Sequence, residues 1–218
     1  MTPRLRGRRV SGQGGHHGQC SGAAGAAGNI GSNGFRDSLR TASGGLGGLG
    51  LSAAELLAER GARHLVLLSR RPPEPATRQI LQRLQQAGTT VITHEVDISR
   101  QEEIAPLLGN FGTLWPPLRG VLHTAAVVVD GVIAEQSAAK FKEAMAAKVH
   151  GAWNLHLLTQ SQPLDFFVGY SSIASLFGGP GQSSYAAGNA FVDALAHLRR
   201  QRREPRRASI PKAPRARR

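Results

Sequence analysis

Short apolar runs alternate with helical patterns along the middle of the chain. The candidate strands are HLVLLSR at 64–70, TVITHEVDI at 90–98, LRGVLHTAA at 118–126 and DFFVGYSSI at 165–173. Each run is bounded by glycine, proline or polar residues, which is typical of buried strands. The alternation predicts an α/β domain, a Rossmann-like doubly wound parallel sheet that binds ligands at the carboxyl ends of its strands.

Apolar residues at helical spacing fill the gaps between these strands. We predict helices over 51–60, 75–87, 137–160 and 183–202. Gly61 and Gly88 follow the first two helices, where a left-handed C-terminal cap is expected. In the long third pattern, one face is predicted to carry Phe141, Met145, Val149, Trp153, Leu157 and Leu158.

Both flanks lack such patterns and carry the excess positive charge. Residues 1–42 hold six arginines and one aspartate, residues 199–218 hold ten basic residues and one glutamate, and residues 43–198 hold eleven basic and twelve acidic residues. Neither flank has enough apolar side chains to repay the entropy of ordering. We therefore predict a disordered N-terminal segment at 1–42, a domain at 43–202 and a disordered tail at 203–218.

The net charge of +13 suggests a nucleic-acid partner, but the neutral middle offers no basic groove. A nucleic-acid binder acting through the two arginine-rich flanks is therefore the least favoured alternative. No apolar run is long enough for a membrane span or a secretory signal, which predicts a cytoplasmic protein without a membrane partner. His16, His17 and Cys20 lack a fourth ligand, so we expect no metal site.

A glycine-rich stretch, GGLGGLG at 44–50, opens directly into the helix predicted from Leu51. Glycines allow a tight turn and close approach to a pyrophosphate, and a helix N-terminus favours its charge. Such a run by itself fits a flexible linker equally well. The strand that should feed the turn is poor or missing, since the preceding residues offer only Phe35 and Leu39 as large apolar groups. The residues predicted to bind a cofactor here are Gly44, Gly45, Leu46, Gly47, Gly48, Leu49 and Gly50.

The end of the next strand indicates which dinucleotide is bound. Ser69 and Arg70 stand where an NAD enzyme carries an acidic residue for the ribose hydroxyl. An arginine there can pair with a 2′-phosphate, which favours NADPH over NADH; the alternative is a pair of surface arginines. Asp97 is a candidate partner for the adenine amino group. The predicted cofactor residues are completed by Ile98 and Ala125.

The stretch YSSIASLFGGPGQSSYAAGNAF at 170–191 is the most informative of the chain. Its strand ends in Ser171 and Ser172, and a Gly-Pro-Gly turn follows. A helix then opens near Tyr185, with Asn189 four residues later on the same face. A hydroxyl at a strand end and a phenol on the next helix can therefore meet over one pocket.

From about Ser43 to Arg200 the sequence resembles the short-chain dehydrogenase/reductase superfamily and, within it, the ketoreductase domains of modular polyketide synthases and related fatty-acid synthases. The Tyr-x-x-x-Asn motif at 185–189, with a lysine at Lys148 in AAKVHGAWNLH, is similar to the Lys/Asn exchange of the synthase ketoreductases. The same resemblance extends to the runs GARHLVLLSRR, LRGVLHTAA and GQSSYAAGNAFVDALA.

The resemblance implies a reductase that uses NADPH to convert a β-ketoacyl thioester on an acyl carrier protein to the β-hydroxyacyl form, beside other synthase domains. Tyr185 would be the general acid and Lys148 the cation that supports it and binds the nicotinamide ribose. Ser172 would hold the carbonyl oxygen, because its 13-residue distance from Tyr185 agrees with the family. Asn189 would complete the polar network around the lysine.

Two further residues are implied to orient the substrate. The family's Leu-Asp-Asp motif after the fourth strand corresponds here to Val128-Val129-Asp130, so its last residue is kept. The tryptophan of the opposite class would fall at Phe177. With Asp130 and Phe177 as they are, the resemblance favours the type that makes the D-configured alcohol.

The resemblance also implies a domain truncated at both ends, with a weak first strand and without the last strands and lid. We hypothesise that the flanks are out-of-frame translations around a true ketoreductase segment. Missing strands leave backbone groups unpaired, which predicts poor stability and low or no activity for this chain. The alternative function is therefore an inactive remnant or scaffold segment of a synthase.

Overall fold

The computed structural model describes residues 39–202, which build a five-stranded parallel sheet in the order β3-β2-β1-β4-β5. The strands are β1 (Leu39–Ser43), β2 (His64–Ser69), β3 (Thr90–Glu95), β4 (Leu118–His123) and β5 (Phe166–Gly169). The predicted Rossmann-like doubly wound sheet is thereby confirmed. Because the strand order reverses at β1, a crevice opens between the carboxyl ends of β1 and β4.

Seven helices connect or follow the strands in the described residues: α1 (Gly48–Glu59), α2 (Pro75–Gln86), α3 (Gln101–Leu108), α4 (Ala138–Met145), α5 (Ala152–Leu158), α6 (Ala174–Phe177) and α7 (Ser183–Gln201). A 3₁₀ turn spans Ile133–Glu135. Gly61 and Gly88 have φ angles of 95° and 83°, which confirms the predicted left-handed caps. Helix α3, which contains Pro106, was not predicted from the sequence.

Two apolar layers cover the sheet, because successive residues of a strand point to opposite faces. Val66 and Leu68 of β2 pack in one layer with residues of α3 and α5. Leu65 and Leu67 pack in the other layer with residues of α1 and α2. A smaller cluster joins Ala152 of α5 to α7. Helices on both faces therefore hold the carboxyl ends of the strands at one exposed edge.

Strand β1 corrects the expectation of a poor or missing first strand. It lies in the centre of the sheet, pairs with both β2 and β4, and is buried along its whole length. It begins at Leu39, so residues 39–42 belong to the domain that we expected to start at residue 43. The sequence concealed the strand because Arg40 and Thr41 are polar although they are buried. Thr41 donates a hydrogen bond to the Val66 carbonyl, and burial lowers the pKa of Arg40 to about 10.

The single helix predicted over 137–160 is divided by a π-helical turn at Ala146–Gly151, here called the lysine turn because it contains Lys148. The wider turn shifts the buried face after it. Lys148, Ala152 and Leu155 are buried, whereas Trp153 and Leu157 of the predicted face are exposed. That predicted apolar face was therefore wrong in its second half.

Candidate active site

The glycine turn, residues 44–50, connects β1 to α1 at the crevice. Gly44 has a φ of 70°, and a Cβ there would lie 2.7 Å from the Ala125 nitrogen. A Cβ at Gly50 would lie 2.3 Å from the Gly44 carbonyl oxygen. The turn is therefore folded tightly on itself and against the end of β4. Only glycine fits these two positions without moving the backbone.

A cleft of about 490 Å³ opens above the turn. All but two of the residues predicted to bind a cofactor line this cleft. They are Gly44, Gly47, Gly48, Leu49, Gly50, Ser69, Arg70, Asp97, Ile98 and Ala125. The first helical turn of α1 lies in this wall. Exposed backbone N–H groups at a helix start and a nearby arginine are suited to an anionic ligand such as a dinucleotide.

Gly45 and Leu46 do not line the cleft. Gly45 packs against the sheet, since a Cβ there would lie 2.9 Å from the Leu67 Cβ. Leu46 packs on the apolar layer that contains Leu51 and Leu67. Both residues therefore pack on the sheet side of the turn and are absent from the cleft lining.

Several residues of the cleft wall were not predicted from the sequence: Leu68, Val96, Thr124, Ala126, Val127, Ala146 and Ala147. Thr124 directly follows β4, and its hydroxyl donates a 2.8 Å hydrogen bond to the Ser43 carbonyl. Its position at a strand end was a usable signal. Ala146 and Ala147 carried no signal in the sequence, because only the fold brings the lysine turn to the crevice.

Asp97 follows β3 and is held in a local network. Its Oδ1 accepts hydrogen bonds from the Ser99 nitrogen at 2.9 Å and the Ser99 hydroxyl at 2.7 Å. Desolvation raises the pKa of Asp97, but the Ser99 hydrogen bonds and the charges of Arg70 and Arg100 outweigh it and lower the pKa overall. The side chain is thus a fixed carboxylate that can accept a hydrogen bond in the cleft.

Lys148 is only 3% exposed and lies beside the end of β5. Its Nζ donates a hydrogen bond to the Tyr170 carbonyl, one residue after that strand. Burial lowers the pKa of Lys148, while the carboxylate of Asp193 opposes the shift. Close packing of the lysine turn against α7 depends on Gly188, where a Cβ would lie 3.1 Å from the Lys148 Cβ.

The predicted residues of β5 and α7 are joined through backbone groups. Asn189 is fully buried, and its Nδ2 donates a 2.8 Å hydrogen bond to the Tyr185 carbonyl. The Ser171 hydroxyl donates to the Asn189 carbonyl at 3.3 Å. The Ser172 hydroxyl accepts from the Ala174 nitrogen at 3.2 Å. Tyr185 is half-buried in the first turn of α7.

The structure therefore brings the elements that carry Ser172, Tyr185, Asn189 and Lys148 into one neighbourhood. Within residues 39–202, no hydrogen bond joins the Tyr185 hydroxyl to Ser172 or Lys148. The Asn189 Oδ1 is buried without a hydrogen-bond partner there. None of these four side chains lines the cleft of about 490 Å³ itself, which the lysine turn reaches through Ala146 and Ala147.

A second, open cavity of about 660 Å³ begins at Ser172 and runs along one face of α7. Its lining combines Ser171, Ser172 and Ser175 with Asp193, His197 and Arg200. Ile173, Leu176 and Phe177 beside it are 71–81% exposed. This side of the site is therefore open in the described part of the chain.

Asp130 and Phe177, predicted to orient a substrate, are both exposed and lie on segments that meet. The loop of Asp130 is held to the turn after Phe177 by a 2.9 Å hydrogen bond from the Gly131 nitrogen to the Gly181 carbonyl. Ser184 of α7 donates to the Val129 carbonyl at 3.5 Å. The two segments therefore flank the start of α7, close to Tyr185.

The described residues contain neither a membrane-spanning helix nor a cluster of metal ligands. No helix within 39–202 is long and apolar enough to cross a membrane. No group of three or more metal-ligating side chains was found in the same range. His16, His17 and Cys20, considered above for zinc, lie outside the described residues.

The strand order and the glycine turn at its reversal point define a dinucleotide-binding, Rossmann-like domain. Residues 40–210 match the family model of the KR domain. The chain therefore belongs to the KR domain family of polyketide synthases, whose members are oxidoreductases that bind a nicotinamide cofactor and act on the carbonyl group of polyketide intermediates.

The sequence is similar to short segments of much longer synthases. The chain is 41% identical over 158 residues to the partially reducing polyketide synthase men1 of Menisporopsis theobromae, which covers 72% of this chain and 6% of that protein. It is 43% identical over 157 residues to the phthioceranic/hydroxyphthioceranic acid synthase of Mycobacterium tuberculosis, covering 72% and 7%. The chain thus spans less than a tenth of these relatives.

Solved structures agree in fold. A ketoreductase domain from the bacillaene assembly line has a TM-score of 0.74 at 31% identity, covering 79% of this chain and 42% of that one. An A1-type ketoreductase has a TM-score of 0.74 at 37% identity, covering 79% and 36%. The similarity therefore extends over most of this chain but less than half of each solved chain.

Proposed function

We propose that this chain binds NADPH and reduces the ketone of a β-ketoacyl thioester, carried on an acyl carrier protein, to the β-hydroxyacyl form. One observation carries the proposal: the cleft of about 490 Å³ is bounded by the glycine turn, Arg70 and the lysine turn. A nucleotide site and the proposed proton-transfer residues therefore share an edge of the sheet. The other domains of a synthase would supply the substrate.

The lining of the cleft fits NADPH. The pyrophosphate would lie against the glycine turn, where the N–H groups at the start of α1 can donate to it. Arg70 would pair with the 2′-phosphate, and the Asp97 carboxylate would accept a hydrogen bond from the adenine amino group. When bound, the reduced nicotinamide supplies the hydride, and the chain supplies the proton and the orientation.

Ser172 and Tyr185 have the chemistry to handle the carbonyl oxygen. The Ser172 Oγ accepts from the Ala174 nitrogen, so its own proton is free to donate to the ketone oxygen. Tyr185 would donate its phenolic proton to the alkoxide oxygen that forms as the carbonyl is reduced. Lys148 would favour that transfer as a fixed positive charge, since the Tyr170 carbonyl holds its Nζ. Asn189 would keep the start of α7 in register with this group through its bond to the Tyr185 carbonyl.

The exposed segments of Asp130 and Phe177 would select the direction in which the acyl chain enters. Both segments flank the start of α7, and Phe177 presents an apolar surface to solvent. A carrier protein would deliver the thioester from this side, with the chain passing the open cavity that begins at Ser172.

Replacing Tyr185 by phenylalanine tests the proposal. We expect Y185F to lower turnover of a simple β-keto thioester about 10²- to 10⁴-fold, because it removes the proton donor, while NADPH affinity is kept. The measurement is NADPH oxidation at 340 nm together with a fluorescence titration of NADPH binding.

The matched control is Y170F. Tyr170 contacts Lys148 through its backbone carbonyl, which the substitution retains, so Y170F should turn over like the parent chain. Equal turnover by Y185F and the parent would refute the role of Tyr185. Binding of NADPH without any turnover in the parent would instead favour the inactive remnant.

A further inference from the structure

His123 is a fully buried titratable residue to which the proposed reaction gives no task. It is the last residue of β4 and lies in the middle of the sheet, beneath the cleft. Its Nδ1 is 2.7 Å from the hydroxyl of Ser43, the last residue of β1, across a sequence separation of 80 residues. The ring thus joins the ends of the two strands at which the sheet order reverses.

The residues that follow this contact on both strands line the cleft of about 490 Å³. Gly44 follows Ser43, and Thr124 and Ala125 follow His123. Thr124 donates to the Ser43 carbonyl from both its nitrogen, at 3.0 Å, and its hydroxyl. Movement of the His123 ring relative to Ser43 would therefore displace the glycine turn against the end of β4.

The other edge of the ring faces the lysine turn. The Nε2 of His123 is buried and has no hydrogen bond within the described residues. Burial and the neighbouring Lys148 ammonium lower the pKa of His123 to about 3, whereas the backbone of Ala147 opposes the shift. The ring is therefore neutral near pH 7, and Ala147, which it adjoins, also lines the cleft.

We propose that His123 is a positioning residue that couples the glycine turn to the lysine turn: its Nδ1 holds Ser43, and its Nε2 edge supports the backbone that carries Lys148. The neutral ring accepts at Nδ1 from the Ser43 hydroxyl and keeps its single N–H on Nε2, toward Ala147. Cofactor affinity and the environment of the lysine are thereby linked through one side chain. This inference rests on the proposed roles of the glycine turn and of Lys148.

Three substitutions separate the two edges of the ring. In H123N the amide lies near the position of Nδ1, so the contact with Ser43 is kept and support of Ala147 is lost. In H123Q the longer side chain reaches the position of Nε2, so a polar group beside Ala147 is kept and the contact with Ser43 is lost. H123F fills the space and offers neither contact. S43A is the matched control, because it removes only the partner of Nδ1.

Two measurements on the full chain report on the two edges of the His123 ring. The first is the NADPH dissociation constant from fluorescence titration. The second is the pH at which the Lys148 ammonium is half-titrated, measured by NMR of the chain labelled with ¹³C at the lysine Cε. We expect H123F to weaken NADPH about tenfold, the worth of one buried hydrogen bond, and to change the Lys148 midpoint because the lysine turn loses the polar ring edge beside it.

The remaining variants should split these effects. H123Q and S43A should weaken NADPH without moving the Lys148 midpoint, and H123N should do the reverse. If all four variants change only the urea midpoint and neither readout, His123 is a purely structural residue and the inference is wrong. Should the parent chain fail to bind NADPH, the proposed function fails, but the Lys148 midpoints of H123N and H123Q still decide the inference. The same pair decides it if H123F does not fold.

Discussion

Arg70 is exposed and lines the cleft of about 490 Å³. Its positive charge contributes to lowering the pKa of Asp97. A cation at the end of the second strand distinguishes nucleotides by the 2′-phosphate, which NADPH carries and NADH lacks. The cofactor preference of this chain can therefore be tested at a single residue.

We expect R70A to weaken NADPH binding roughly 10- to 100-fold, as for loss of hydrogen bonds to a charged group, and to leave NADH binding unchanged. Titration of both nucleotides with the parent chain and the variant measures the effect. R71A is the neighbouring control, because Arg71 lines the same cleft and its backbone bond to Ser69 survives the substitution. A parallel loss of both nucleotides in R70A would contradict the assignment.

Residues with a motif were predictable, and residues placed only by the fold were not. Tyr185, Asn189 and Lys148 were proposed as catalytic residues from a spacing that a family resemblance made recognisable, and their roles stay predictions. Ala147 and His123 carry no such pattern. The fold places them where the lysine turn meets the centre of the sheet, and residues so far apart in sequence cannot be brought together by a local sequence pattern.

At the scale of the element, two glycines of the glycine turn are expected to differ in their effects: one on stability and the other on nucleotide binding. A Cβ at Gly50 would collide with the Gly44 carbonyl, whereas a Cβ at Gly48 meets no atom within 4 Å. G50A should therefore lower the free energy of unfolding by about 1–3 kcal/mol. G48A should leave it unchanged or raise it by up to about 1 kcal/mol, since alanine favours the helix that begins there.

The same two variants differ in NADPH binding. The methyl group of G48A adds to the cleft wall where the pyrophosphate is proposed to lie, so affinity should fall although the fold is intact. Urea denaturation and NADPH titration of each variant give the comparison. Unchanged affinity in G48A would place the pyrophosphate elsewhere.

Strand β1 illustrates why one element escaped prediction. Periodicity finds strands by their apolar residues, but LRTAS places Arg40 and Thr41 in the interior. Their burial is possible because the strand has neighbours on both sides and Thr41 bonds to the Val66 carbonyl. The other four strands, each of which carries adjacent large apolar residues, were predicted within a few residues of their ends.

For the whole molecule, a neutral buried histidine makes stability depend on pH. The pKa of His123 is about 3 in the folded chain, below its ordinary value of 6.5. Between these two pH values the unfolded chain therefore binds a proton at His123 and the folded chain does not. This contribution is complete above pH 6.5 and is lost as the pH falls toward 3. We expect a loss on the order of 1 kcal/mol per pH unit in that window.

Urea denaturation of the parent chain and H123N at pH 7, 5.5 and 4.5 measures this loss. Asparagine does not titrate and retains a partner for Ser43, so H123N should have a shallower dependence on pH. H150N is the control, because His150 is exposed and its removal should leave the slope unchanged. Identical slopes in all three proteins would exclude His123 as the source.

Because β1 is central, its two neighbours in the sheet, β2 and β4, are synthesised at different times. A ribosome adding about 5–20 residues per second releases His123 roughly 4–16 seconds after Ser43, its partner 80 positions earlier. During that interval β1 can pair with β2, but its other edge has no neighbouring strand. The crevice at the strand-order reversal therefore does not exist until β4 emerges, and the speed of translation between β2 and β4 sets how long a half-paired strand is open to wrong partners.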